Sequence, residues 1–113
     1  MPTAPASHAP SPIARAFAVA IVCALTITVL ATFRDYGITW DEEVQNTYGN
    51  LLLAFYTSGF QDRSAFAYLN LYFYGGFFDL STAIVNQFTP FDIYATRHLL
   101  GGLLGIVGYI GVW

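Results

Sequence analysis

Lysine is absent from this 113-residue chain, and charge of either sign is scarce. Four arginines and seven carboxylates bring charged residues to only 10%. A water-facing surface usually carries about 25–35% charged residues, so the composition argues against an ordinary soluble domain. The length leaves room for one small domain at most. A net charge of −3 with no basic cluster offers nucleic acid no electrostatic footprint, so no nucleic-acid partner is expected. The single cysteine, Cys23, forbids an intrachain disulfide and leaves the redox compartment open. Inside an apolar run it reads as a small packing residue. The two histidines, His8 and His98, stand far from each other and from the main acidic cluster, so no local metal site is expected. No phosphate-cradling glycine loop, nucleophile elbow or Cys/His pair is present.

What the chain has in quantity is apolar and aromatic side chains, 56% and 18% of its residues. Residues 13–33 form an apolar run whose one charge, Arg15, lies near its start. Roughly 20 residues at ~1.5 Å each match a hydrocarbon core of ~30 Å, which predicts a transmembrane helix. Val29-Leu30-Ala31 also resembles a signal-peptide cleavage site, with Arg15 as the charged flank. A run longer than the usual ~7–15-residue signal core favours an uncleaved anchor. Residues 1–12, rich in Ala, Pro and Ser, predict a disordered tail.

A second apolar stretch, residues 90–113, opens on Thr89-Pro90-Phe91-Asp92. Thr at the N-cap, Pro at the first helical position and an acid at the third make a helix start. From Leu99 to Trp113 the stretch is uncharged but short for a span unless Ile93 to Thr96 dip into the interface. A truncated second span, with the rest of a longer protein missing, is the expectation. Every carboxylate lies between Asp35 and Asp92, as do most of the aromatics. A segment so aromatic suits the membrane interface better than water. Within the 34–89 loop two interfacial helices are predicted, at about 39–58 and 76–88. The first starts with a Thr39/Glu42 capping box, ends before Gly59 and carries Trp40, Val44, Tyr48, Leu51, Leu52 and Phe55 on one face. The second has Leu80, Ile84 and Phe88 on one side and Asp79, Thr82 and Asn86 on the other. Between them, residues 70–76 read as an aromatic turn or short extended piece. The fold class expected is therefore an all-α membrane protein, with two transmembrane helices joined by a long aromatic loop with two interfacial amphipathic helices.

The acidic cluster Thr39-Trp40-Asp41-Glu42-Glu43 follows the first span directly. Acids at a helix start stabilise the macrodipole by ~0.3–1 kcal/mol each, which is the plain explanation. At ~100° per residue, Asp41 projects toward the apolar stripe, whereas Glu42 and Glu43 turn away. Glu42 serves the cap and Glu43 is solvated. Asp41 is the candidate for a partly desolvated carboxylate, with a raised pKa suited to a general base or to a metal. Arg97-His98 reads either as an interfacial snorkelling pair or as a cationic contact for an anionic headgroup or lipid-linked phosphate. Asp79 and Asp92 read as polar-face and cap residues, and Arg34 and Arg63 as headgroup contacts. Tyr72 and Tyr74 are interface anchors whose rings can also stack on sugar faces.

Three pieces in order, Gly37-Ile38-Thr39-Trp40-Asp41-Glu42, Tyr74-Gly75-Gly76-Phe77-Phe78-Asp79 and Arg97-His98-Leu99-Leu100, resemble the start of a GT-C membrane glycosyltransferase. The likeness is to the dolichyl-phosphate-mannose-protein mannosyltransferase-like branch in bacteria, and it covers about residues 33–113. The resemblance implies an enzyme of the bacterial inner membrane with the loop on the extracytoplasmic side. Its donor would be a polyprenyl-phosphate sugar. Asp41 would act as general base on the acceptor hydroxyl, and Glu42 would assist through acceptor or metal contacts. A divalent metal is the one cofactor left open. Arg97, His98 and Tyr74 are the candidate substrate-binding residues, and the 113-residue chain alone is expected to be inactive. The His-Pro-Pro segment of the protein mannosyltransferases is absent, which leaves the acceptor open. Charge does not orient the chain, since Arg15 and the N-terminal amine stand against Arg34, Arg63 and Arg97. The alternative is a small non-enzymatic two-span membrane protein whose loop lies on the bilayer or docks a partner.

Overall fold

The computed structural model describes residues 9–113, and among them the protein is all-helical, with four α-helices, two short 3-10 turns and no strand. The tail expected over residues 1–12 lies largely outside the described residues. Its last residue already belongs to α1, Pro12–Thr32, because the Ser11 hydroxyl accepts from the Ala14 N–H at 3.2 Å and Pro12 needs no partner for the N–H it lacks. α1 buries only Ala18, leaving Phe17, Ile27 and Leu30 exposed. Its threonines are neutralised locally: Thr26, Thr28 and Thr32 each donate to the carbonyl four residues back at 2.8 Å.

Two helices, α1 and α4 (Ile93–Val112), are long and apolar enough to cross a membrane. They pack on each other where Gly102 admits Val29, since a Cβ at Gly102 would lie 2.7 Å from Val29 Cγ1. At the other end, Val22 and Cys23 face Tyr109 and Ile110 across an apolar groove, so the two helices run antiparallel. That register sets His98 level with the C-terminal end of α1, where the Tyr36 ring meets it edge-on at 5.5 Å. The start of α4 therefore rises past the end of α1.

Its start corrects the sequence reading. Thr89 is not the N-cap; Asp92 is, its carboxylate accepting from the Tyr94 and Ala95 N–H groups, both at 3.0 Å. A carboxylate that satisfies two orphan donors outcompetes a hydroxyl placed three residues earlier. Thr89 pairs instead with the Thr96 hydroxyl at 3.0 Å.

The connecting segment builds the core. α2, Glu42–Thr57, is shorter than the predicted 39–58. Half of the capping box forms, with the Thr39 N–H donating to Glu42 Oε2 at 2.9 Å. The helix is preceded by a turn, Asp41 occupying the N-cap position. Trp40 therefore leaves the apolar stripe and is 89% exposed. The end of α2 matches its signal. Gly59 adopts φ +65°, its N–H donates to Tyr56 O, the Phe60 N–H donates to Phe55 O, and the Phe55 and Phe60 rings lie 5.1 Å apart. This is a Schellman ending with its apolar contact. Tyr48 and Leu52 of α2 bury against Ala65, which lies in the 3-10 turn Ser64–Phe66, with Leu71 and Leu80 packed around them. Burial, and then the negative charge of Asp79, push the Tyr48 phenol up from its ordinary pKa.

Residues 71–74 form a second 3-10 turn, Leu71–Tyr74, bounded by positive-φ Asn70 and Gly75. α3, Phe77–Asn86, follows, two residues shorter at its C-terminal end than the predicted 76–88. Its orientation is the reverse of an ordinary amphipathic surface helix. Thr82 is buried at 1% exposure, and Asn86 Oδ1 accepts from the Thr96 hydroxyl at 2.9 Å. Phe77 and Phe88 lie 80% and 85% exposed. The polar face turns toward the protein because α2 and α4 present polar side chains to it, and only Leu80 of the apolar row reaches the core.

Candidate functional site

A polar seam joins α2, α3 and α4 beside the end of α1, and Arg97 is its centre. Arg97 is 7% exposed, and its guanidinium carbon lies 4.9 Å from the centre of the Phe78 ring. Nη2 donates to Asp79 Oδ1 at 2.8 Å and to the Gln45 carboxamide oxygen, and Nη1 donates to Asn46 Oδ1 at 3.3 Å. An unpaired charge buried this far would be costly, and the Asp79 carboxylate compensates it directly. The snorkelling expectation placed this side chain outward; it turns inward instead, where it also lines a cavity beside α1. Asn46 is buried as well, and its Nδ2 has no hydrogen-bond partner among the described residues.

His98 forms the second link. Its Nε2 lies 2.8 Å from Glu42 Oε1, with both side chains largely buried. Glu42 thus uses one oxygen on the Thr39 N–H and the other on His98. Of the acidic cluster, Glu42 is the carboxylate drawn into the protein, while Asp41 stays at the surface edge. The polar face of α2, Glu42 with Gln45 and Asn46, packs against Arg97 and His98 of α4, which draws Glu42 inward and leaves Asp41, at the N-cap, on the edge.

The raised pKa expected of Asp41 is likewise reversed. The Thr39 hydroxyl beside it, then its own backbone N–H, and further the charge of Arg97 hold its carboxyl below the usual range. Asp41 is ionised at neutral pH, as an ordinary carboxylate is, and the downward shift makes it a weaker base than the raised pKa expected from the sequence would have made it.

Two cavities flank Arg97. One, of about 330 Å³, opens between α1 and α4; Val29, Phe33, Gly101 and Gly102 give it apolar walls, and Glu42, Arg97 and His98 a polar end. The other, of about 540 Å³, lies between α2, the Leu71–Tyr74 turn, α3 and α4, and Gln45, Tyr74, Asp79 and Arg97 line it. Tyr74 is 86% exposed at its edge. All five candidate residues therefore fall in one region: Glu42 and His98 in contact, Arg97 between the cavities, Tyr74 at the second, and Asp41 at the start of α2.

The residues around Asp41 and Glu42 do not form a divalent-metal ligand set. Glu42 is already engaged through both oxygens, and among the described residues no group of three His, Cys, Asp or Glu converges. No chemical step is routed through a metal here.

Gln45 and Asn46, which no motif marks, and Asp79, which reads as a polar-face residue, join the site, and their spacing carries a signal. Glu42, Gln45, Asn46 and Gly49 recur at i, i+3, i+4 and i+7, and so do Asp79, Thr82, Ala83 and Asn86. Each set is a polar or small stripe at helical period, and the two stripes meet across Arg97. Gly49 closes the seam, because a Cβ there would stand 2.8 Å from the Asp79 carbonyl carbon and closer still to its oxygen. Set against protein-family models, curated proteins and solved structures, the chain matches none of them.

Proposed function

We propose that this chain supplies the first two spans and the catalytic loop of an integral-membrane glycosyltransferase, which moves a sugar from a polyprenyl-phosphate donor to an acceptor hydroxyl. The observation that carries this reading is the convergence of three segments that are far apart in the sequence. The acidic motif meets the Arg-His pair through Glu42–His98, and the Tyr-Gly-Gly-Phe-Phe-Asp segment meets it through Asp79–Arg97, each at 2.8 Å. The meeting point is level with the end of α1, where a lipid-borne substrate would present its head.

In this reading the apolar cavity between α1 and α4 takes the first part of the donor's lipid chain. Arg97 and His98 at its polar end meet the phosphate. Asp41 removes the proton from the acceptor hydroxyl as that oxygen bonds to the anomeric carbon. The bond from the anomeric carbon to the phosphate oxygen breaks, the lipid phosphate leaves, and configuration inverts. Glu42, fixed by Thr39 and His98, orients the acceptor. The outward rings of Phe77 and Phe88 rest in the membrane interface, with the loop on the extracytoplasmic face of a bacterial inner membrane.

The test is sugar transfer by membranes carrying the full-length parent protein supplied with polyprenyl-phosphate sugars. Replacing Asp41→Asn is expected to lower the transfer rate by roughly 10²–10⁴ at unchanged expression, the range for loss of a general base. Equal transfer by the two proteins would remove Asp41 from the mechanism. The absence of transfer from every donor would favour a non-enzymatic two-span protein.

A further inference from the structure

We infer that the cavity between α2, the Leu71–Tyr74 turn, α3 and α4 binds a saccharide ring, so that the acceptor hydroxyl belongs to a sugar; the second half of this rests on the transferase reading, the first does not. The volume, about 540 Å³, falls in the range of small-molecule sites. Its chemistry is mixed in a way that selects hydroxyl groups. Gln45, Asp79 and Arg97 form one hydrogen-bonded cluster on its wall, and Tyr48, Tyr74 and Phe78 add aromatic rings. A sugar hydroxyl both donates and accepts, and this cluster offers guanidinium and carboxamide donors beside carboxylate and carboxamide acceptors. The C–H faces of a pyranose suit aromatic rings, and Tyr74 holds its ring exposed at the cavity edge.

Two rival ligand classes fit less well. An anion is disfavoured because Asp79, at 2.8 Å, balances the Arg97 charge on this side of the seam. The other cavity sets two basic side chains, Arg97 and His98, against the single carboxylate of Glu42. A wholly apolar ligand would strip water from the polar cluster without replacing its hydrogen bonds. Position also fits: Gln45 lies one helical turn after Asp41, its N–H donating to the Asp41 carbonyl at 3.0 Å. A ring seated against Gln45 therefore has its hydroxyls within one turn of the proposed base.

The experiment is saturation-transfer NMR on the 113-residue chain in nanodiscs, with the methyl glycosides of mannose, glucose and galactose as probes and inorganic phosphate as competitor. Saturation is expected on the ring protons of at least one glycoside. Affinity is expected to fall at least about tenfold in Tyr74→Ala and in Gln45→Ala, to be largely kept in Tyr74→Phe, and to be unaffected by phosphate. Tyr74 is exposed, so its loss leaves the core intact. No saturation, saturation unchanged in both alanine variants, or displacement by phosphate would each overturn the assignment. Saccharide binding without transfer by the parent protein would leave this site standing and remove the transferase. Transfer to an acceptor without a sugar ring, with no glycoside bound here, would do the reverse.

Discussion

Arg97→Met is expected to destabilise the loop by about 3–5 kcal/mol, the range for removing one partner of a buried ion pair. The loss exceeds that of one contact because Asp79 would stay buried without its cation while Gln45 and Asn46 lose their common donor. The Met stem still packs on Phe78, so the effect reports charge and hydrogen bonding more than volume. Amide exchange in detergent micelles is the suitable measurement. Amides of α2 and α3 are expected to lose protection together, while those in the middle of α1 keep theirs. The double variant Arg97→Met, Asp79→Leu should recover a large part of the loss, since an apolar pair of similar size is often nearly neutral. Protection unchanged in Arg97→Met would mean that the seam does not hold the loop.

Gly49→Ala is expected to destabilise the protein although the substitution favours a helix. In an open helix interior the change gains about 0.8–1 kcal/mol. At Gly49 the added Cβ meets the Asp79 backbone, which cannot swing aside as a side chain would. α2 and α3 must separate, at an overpacking cost of typically ~1–3 kcal/mol, and the separation stretches the Asp79–Arg97 pair as well. Gly108→Ala in α4 is the control, because nothing lies within 4 Å of its added Cβ. Denaturant titration in micelles should show a lower midpoint for Gly49→Ala and an equal or higher one for Gly108→Ala. A higher midpoint for both would mean that the α2–α3 contact is looser than described.

How much of this was legible in the sequence differs from element to element, for physical reasons. α1 and α4 were legible because hydropathy over about 20 residues is an additive property that packing hardly alters. The end of α2 was legible because a left-handed residue at the helix end favours glycine, and Gly59 supplies it. Helix starts were less so. Thr39, Asp41, Thr89 and Asp92 are all good cap residues, and the choice among them depends on which backbone N–H groups each side chain reaches. Glu42 turned inward for another reason: its partner His98 lies 56 residues away, and no local pattern announces it.

The two faces of α3 were legible in its pattern; what each face would meet was not. Asp79, Thr82 and Asn86 do share a face, as the spacing requires, but a polar face turns outward only when water is the better partner. Here Arg97 and Thr96 offer hydrogen bonds inside, and the apolar face is left outward. Arg97 itself could not be placed from sequence, since its three partners come from 18, 51 and 52 residues away.

The most direct test that the acidic motif and the Arg-His pair form one site is a double-mutant cycle between Glu42→Gln and His98→Gln, read as unfolding free energy in micelles. Contact at 2.8 Å with both side chains largely buried predicts a coupling of about 0.5–3 kcal/mol. Additive effects, with coupling near zero, would contradict it: the start of α2 would then not meet α4.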